Sequence, residues 1–381
     1  MAHRKVLFIG HDASRTGAPI ALLTLLRWLK GQVDWETAIL FPRKGELLDE
    51  FAAVAPVQVI DPSPRTDALQ PVTLPFQPDL IYFNSVASAV RLPMSAPGCR
   101  MLCHVHELEY TIRAFIGPGS SAQFFGRFDR FIACSKAARA NLTDNHAIRQ
   151  NLIDVIHECV VADAVIARAD RSTAAPWLRN YLNTPDDAHV ILAVGTIEWR
   201  KGTDLFLQLA AAVTQRMSGR PVHFVWVGRP IGTGEWRRVD HDLRRMVGVQ
   251  SVVHFVPATA DVIPYLAAAD AFVLPSREEG LPIVCLESAA CGTPVVCFGG
   301  AGGAVEFVEN DCGVIVPYSN ISAMADCVVE LLDDPQRRAN LGAAAREKVR
   351  RRFDISVTGP QIIEAIERTL ASPVKSASPA V

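Results

Sequence analysis

At 381 residues, 49% hydrophobic and 20% charged, the chain is long enough for two packed domains and too apolar for wholesale disorder. Thirty-eight Lys and Arg against 40 Asp and Glu give a net charge of -2, which excludes a global field able to hold nucleic acid or an anionic membrane. Peripheral membrane contact through a local patch is left open without support.

The N-terminus, MAHRKVLFIGHDAS, holds a short apolar run before turning polar, too short for a secretion signal or a membrane span. It predicts a cytoplasmic protein. KVLFIG, DLIYFN, RMLCHV and RFIACS follow as short apolar runs, most of them succeeded by a turn and a stretch with helical spacing, which is βα alternation. Gly17 lies in the glycine turn after the first run, where a missing side chain lets the backbone approach a ligand or simply makes a turn. His106 follows the third run, and His104 shares its face by strand alternation, so either is a candidate for proton shuttling, the other being a satisfied surface histidine. Ser135 opens SKAARANL as an N-cap.

Cys99, Cys103, His104 and His106 form the tightest grouping of metal-ligating types, but their spacing matches no zinc pattern. The nine cysteines contain no C-x-x-C pair and read as reduced core residues. No metal and no cofactor is expected.

Residues 165 to 187 carry turn residues without a long apolar period, and a domain boundary is placed there. Alternation restarts at HVILAVG and runs through PVHFVWVG, VVHFVP, DAFVLPS, TPVVCFG and CGVIVP, separated by helical segments such as DLFLQLAAAVTQRM and ISAMADCVVELLDD. Such units form parallel sheets covered by helices on both faces, with ligands at the carboxyl ends of the strands. The domains are set at 1–170 and 171–355. A C-terminal helix, returning to the first domain, and a disordered tail ending in PVKSASPAV take 356–381.

Asp240 and Asp242 form a D-x-D, yet VDHDLRRMV reads as helix, where residues two apart diverge. Gly299 to Gly303 do not complete G-x-G-x-x-G, and no G-x-x-x-x-G-K occurs, so dehydrogenase and P-loop readings lose support. The basic run Arg346, Lys348 and Arg350 to Arg352 reads as a solvated helix face.

The most informative stretch is SREEGLPIVCLESAACGTPVV, residues 276 to 296. Glu279 sits on the loop after a strand, and Glu287 sits on the helix that begins near Pro282. Helical side chains tilt toward the N-terminus, so both carboxylates can face one ligand. Between them the backbone N–H groups of Gly280, Leu281, Pro282's successor Ile283 and their neighbours gather at a helix start, which favours a phosphate. Upstream, Arg200 and Lys201 stand at a strand-to-helix turn, where cations stabilise the charge growing on a departing phosphate.

The pattern S-x-x-E-G-x-P, then E, then small-small-x-G-x-P-V-V closely resembles glycosyltransferase family 4, retaining enzymes of the GT-B fold. HVILAVGTIEWRKGTDLF, GGAVEFVENDCGVIVP and RRRFDIS continue the likeness, which is strongest over 190–353 and weaker in SRTGAPIALLTLL, CHVHELE and FIACSKAARANL.

The resemblance implies an α/β protein with two Rossmann-like doubly wound domains facing a central cleft. It implies a metal-independent transferase that moves a sugar, with retention, from a nucleotide-sugar donor to a sugar-containing, lipid-linked or small-molecule acceptor. By it Lys201 contacts the donor diphosphate, Glu287 the ribose hydroxyls and Glu279 the donor sugar, with Gly17, Gly280, Leu281, Pro282 and Ile283 lining the donor site. His106, followed by Glu107, lies near the reacting sugar.

Three departures accompany it. Thr196 stands where relatives commonly have an arginine after the strand's glycine, and Arg200 substitutes. Pro257 replaces a glycine near where the base is read, and His157, Glu158 and Cys159 replace Pro-Asn-Gly at the end of the first domain. A nucleotide-sugar epimerase of the same fold and a catalytically silent nucleotide-sugar binding subunit are the alternatives.

Overall fold

The computed structural model describes residues 3–60, 74–95 and 98–372; the tail PVKSASPAV lies outside them. The chain divides into two compact units: the residues up to Cys159 together with those from Ile355 onward, and Val160–Asp354. The change of unit therefore falls about ten residues before the position expected from sequence.

In the first unit the strands are β1 (Arg4–Ile9), β2 (Trp35–Phe41), β3 (Val57–Val59), β4 (Leu80–Phe83), β5 (Arg100–Val105), β6 (Arg130–Ala133) and β7 (Ile153–Val155). They lie in the order β3-β2-β1-β4-β5-β6-β7 and all pair in parallel. The central strands are apolar on both faces because helices cover both. Those helices are α1 (Gly17–Leu29), α2 (Leu48–Ala52), α3 (Val86–Arg91), α4 (Glu109–Ile116), α5 (Ser121–Phe125) and α6 (Lys136–Asp144). Ser135 caps α6 by accepting from the Ala138 N–H at 3.0 Å.

The C-terminal helix, Ile355–Leu370, completes this unit's core. Its Ile355, Ile362, Ile363 and Ile366 pack with Leu22, Leu26, Phe8 and Tyr82, each fully buried large side chain contributing about 2 kcal/mol. Gly359 allows the close approach, since a Cβ there would lie 2.5 Å from the Trp28 ring. Arg4 fixes the far end through Glu367 at 2.8 Å.

The second unit carries β8 (His189–Val194), β9 (Val222–Val227), β10 (Val253–Val256), β11 (Ala271–Leu274), β12 (Val295–Phe298) and β13 (Gly313–Val316) in the parallel order β10-β9-β8-β11-β12-β13. Its helices are α7 (Ala162–Ile166), α8 (Arg171–Leu182), α9 (Thr203–Arg216), α10 (Thr233–Leu243), α11 (Ile263–Ala268), α12 (Ile283–Ala290), α13 (Ala304–Val308), α14 (Ile321–Asp333) and α15 (Pro335–Arg352). Chain order along the sheet reverses between β8 and β11. In a doubly wound sheet that crevice, at the carboxyl ends of the strands, is where ligands bind.

Two expectations are corrected here. The stretch read as a boundary is mostly helix α8, which buries Ala174, Ala175 and Leu178 and is capped by Asp170. The basic run is a solvated face only at Arg350, Arg351 and Arg352, which are exposed; Lys348 is buried, with its ammonium on Glu309, Asp311 and the Phe307 carbonyl, and Arg346 donates to the Ala290 and Cys291 carbonyls. Charges pinned in this way hold α15 against the ends of α12 and α13.

Candidate functional site

The loop after β8 and the loop after β11 flank the reversal point and are tied together by backbone. The Arg277 N–H donates to the Arg200 carbonyl at 2.8 Å, and the Arg277 guanidinium grips Asp204 through two bonds of 2.8 and 2.7 Å. Gly202 sits at φ +73°, and a Cβ there would fall 2.0 Å from the Pro275 carbonyl oxygen. Only glycine combines that left-handed conformation with so close a contact.

This approach brings Lys201, Arg200 and Glu279 together, as their spacing along the sequence alone does not require. Lys201 Nζ lies 2.5 Å from Glu279 Oε1, Arg200 Nη1 lies 3.2 Å from Oε2, and the Ser276 hydroxyl donates to Oε1 at 3.0 Å. Arg200 also donates to the Glu278 carbonyl at 2.9 Å and to Glu198 at 2.9 Å. Glu198 accepts the Thr196 hydroxyl at 2.8 Å, so the residue standing in the arginine's place and its candidate substitute meet on one carboxylate.

Burial alone would raise the Glu279 carboxyl, but the charges of Lys201 and Arg200 outweigh it and hold it below the usual range. Burial disfavours the Arg200 cation, and Glu279 and Glu198 more than restore it. The cluster is thus two cations and two carboxylates held at fixed positions in a poorly hydrated crevice. Side-chain exposure is 16% at Lys201 and 8% at Glu279.

Pro282 is the N-cap of α12, and among the described residues the backbone N–H groups of Gly280, Leu281 and Ile283 make no hydrogen bond. The Glu279 N–H is engaged with the Ala301 carbonyl at 2.8 Å, and Gly303 N–H donates to Gly280 O at 2.8 Å, which fixes the turn. Glu287 lies one turn into α12, half-buried. Its neighbours differ from those of Glu279: burial and the nearby Asp261 raise its carboxyl to about 7, with Arg168 opposing. Burial, and after it Cys297, Glu279 and Glu287, push the Cys285 thiol well above its ordinary value. The Glu287 carbonyl accepts from the Cys291 N–H at 3.0 Å.

The remaining candidates belong to the first unit. Gly17 opens α1 in ordinary helical conformation with open space where a Cβ would be. His106 lies just past β5 against Glu158, and His104 stacks on it with ring centroids 4.1 Å apart while its Nδ1 meets the Tyr82 hydroxyl at 2.6 Å. Glu107 turns away to accept the Val86 and Ala87 N–H groups at 3.2 Å. Cys99 and Cys103 do not join the histidines: strand alternation sends Cys103 to the other face of β5. Asp240 is taken by Arg244 on α10 at 2.8 Å. Glu198, Ser276 and Glu158 were not singled out as site residues from sequence. Ser276 could have been, since it opens the S-x-x-E pattern.

Residues 177–348 match the family model described as glycosyl transferases group 1. The chain carries a group 1 glycosyl transferase domain. The group 1 match falls inside the second unit and includes Arg200, Lys201, Glu279 and Glu287. Similar proteins include D-inositol 3-phosphate glycosyltransferase of Salinispora arenicola, 33% identical over 59% of this chain and 51% of its own. Another is the GDP-mannose-dependent monoacylated alpha-(1-6)-phosphatidylinositol monomannoside mannosyltransferase of Corynebacterium glutamicum, 35% identical over 50% of each chain. The chain spans about half the length of these curated relatives.

Among solved structures, a glycosyltransferase from Rickettsia africae superposes with a TM-score of 0.76 at 16% identity, over 98% of this chain and 100% of its own. Anabaena HepE in complex with UDP-glucose does so with 0.76 at 20% identity, over 96% and 100%. These likenesses carry the α/β fold of two Rossmann-like units across the described chain. No helix among the described residues is long and apolar enough to cross a membrane.

Proposed function

We propose that the protein transfers a sugar from a nucleotide-sugar to an acceptor, with retention of configuration and without a metal ion. The observation that carries the proposal is the convergence of Lys201 and Arg200 on Glu279 beside the unpartnered N–H groups of Gly280, Leu281 and Ile283, at the reversal point of the second sheet. Cations and helix-start donors at one point suit a diphosphate, and the same groups stabilise the charge that develops as the glycosidic bond breaks. The complexes of HepE with UDP and UDP-glucose support a nucleotide-sugar as donor. In this reading Lys201 and Arg200 hold the diphosphate, Glu279 orients Lys201 and meets the donor sugar, and Glu287 accepts the ribose hydroxyls. His106 serves the reacting sugar and Gly17 leaves room for the donor. A cytoplasmic setting suits nine cysteines that form no disulfide among the described residues.

The test is turnover with a panel of nucleotide-sugars and acceptors in excess EDTA. A product joined to the acceptor with its anomeric configuration kept supports the reading. Activity lost on chelation and restored by manganese or magnesium contradicts the metal-free mechanism, and an isomerised donor with no transfer points to an epimerase.

Glu287 supplies a pH prediction. Its folded carboxyl near 7 lies above the ordinary 4.5, so protonation stabilises the fold below about 4.5 and that contribution is lost as pH rises through 7. Ribose hydroxyls donate to the ionised form, so donor binding works in the opposite direction. Donor affinity is expected to rise about tenfold between pH 6 and pH 8, and calorimetry should detect proton release on binding. Glu287→Gln should remove both effects; an unchanged pH profile in that variant would detach Glu287 from the donor.

A further inference from the structure

Glu158 and His106 are 52 residues apart and form a buried ion pair at the carboxyl end of the first sheet. Their side chains are 6% and 10% exposed. An ion pair so deeply buried does little for stability by itself, because desolvation offsets most of its attraction. Its persistence calls for another role. Tyr82 and His104 extend it: the Tyr82 hydroxyl meets His104 Nδ1, and the His104 ring stacks on His106. The ligand-capable atoms of His104, His106 and Glu158 lie within 4.8 Å of one another, yet both Nδ1 atoms are committed, one to Tyr82 and one to Glu158. The Nε2 atoms of His104 and His106 are buried without a well-formed hydrogen bond.

We propose that Glu158 is a positioning residue for His106: by accepting a hydrogen bond from Nδ1–H it fixes the ring's orientation, favours the imidazolium whose Nε2–H is the working donor, and holds the neutral ring in the tautomer with Nε2 as acceptor. The proposal deepens the assignment of His106 to the reacting sugar and rests on it. The ring is held between Glu158, from the segment after β7, and His104 on β5, with Glu107 on the following loop and His11 on the loop after β1 also within its field. Burial disfavours a cation at this point, but Glu158, Glu107 and the Asn84 carbonyl win, so His106 is raised above its ordinary value. His104 is pushed the other way, well below its own, and stays neutral. One histidine is thereby favoured as a cation next to one held neutral, and only the first has a carboxylate. The arrangement follows the logic of a carboxylate that orients a catalytic imidazole without itself taking the proton. It also gives Glu158, which stands where relatives of family 4 often carry Pro-Asn-Gly, a task that its neighbours His157 and Cys159 do not share.

The experiment follows His106 directly in the full chain by NMR of ring-labelled histidine, alongside the pH dependence of kcat/KM. In the wild type His106 should titrate above 6.5, with Nδ1 protonated throughout. Glu158→Gln keeps an oxygen for the Nδ1 proton but removes the charge. It should lower the His106 titration by more than a pH unit, move the alkaline limb of kcat/KM down with it, and reduce kcat/KM on the order of tenfold to a hundredfold. Glu158→Asp should restore part of each. If His106 titrates below 6.5 in the wild type, or identically in Glu158→Gln, the proposal is overturned, and the wild-type measurement decides this even where a variant fails to fold. If the titration moves but the kcat/KM profile does not, the pair is structural and the proposal fails while transferase activity stands. Absence of transfer to any acceptor would instead sink the functional reading.

Discussion

Lys201→Ala is expected to lower kcat about a hundredfold, equivalent to roughly 3 kcal/mol of transition-state stabilisation. The reason lies in where its charge is held. Lys201 Nζ is fixed 2.5 Å from Glu279, at the mouth of a strand-to-helix turn beside the N-terminus of α12. A cation already in place when the glycosidic bond breaks needs no reorganisation to meet the new charge on the leaving phosphate. On the proposed role it should interact more strongly with the departing diphosphate than with the intact donor, which puts the loss in kcat more than in KM. Arg200, which is clamped by Glu279, Glu198 and the Glu278 carbonyl, offers the internal comparison. A similar loss in Arg200→Ala would place it on the phosphate, and a small one would make it the strut that holds Glu279. Steady-state kinetics of both variants measure the difference; normal turnover in Lys201→Ala would move the stabilisation to the backbone amides of Gly280 and its neighbours.

Gly202→Ala should be the most damaging small substitution in the second unit. The methyl group would meet the Pro275 carbonyl at 2.0 Å, in a backbone conformation at φ +73° that alanine resists. Overpacking of this kind costs about 1–3 kcal/mol and is relieved only by moving backbone. Either loop that moves carries half of the site, since Lys201 precedes Gly202 and Glu279 follows Pro275. Thermal unfolding should therefore shift down, and donor affinity should fall even well below the melting temperature. A variant with unaltered melting and unaltered donor affinity would show that the contact between the two loops is not what places Lys201 on Glu279.

Much of the fold was legible because buried parallel strands are continuous apolar runs. KVLFIG, DLIYFN and HVILAVG announce β1, β4 and β8 without ambiguity. β2 escaped because its first half, Trp35 to Thr37, is only partly buried and carries Glu36, and β3 and β7, of three residues each, are too short to show a period. The helix α8 reads as part of a domain boundary because its buried side is made of alanines and one leucine and because Pro176 lies inside it.

At the site, the Glu279 and Glu287 pair and the Arg200–Lys201 turn stand out from local pattern alone. What the sequence hides is which charges meet. Thr196, Glu198 and Arg200 converge through a loop, Lys348 finds Glu309 and Asp311 across 39 and 37 residues, and Glu158 reaches His106 across 52. These are tertiary contacts with no periodic signature, and they raise Arg200, Lys348 and His106 above their ordinary values against the effect of burial.

The most direct test of the account is a calorimetric titration of UDP, GDP and ADP, each against its nucleoside, into the wild type, Lys201→Ala and Glu287→Gln. The account predicts that at least one diphosphate binds the wild type. It predicts that Lys201→Ala weakens the diphosphate while leaving the nucleoside nearly unchanged, and that Glu287→Gln weakens both. Equal affinity of the three proteins for every diphosphate would contradict a donor site built on Lys201 and Glu287.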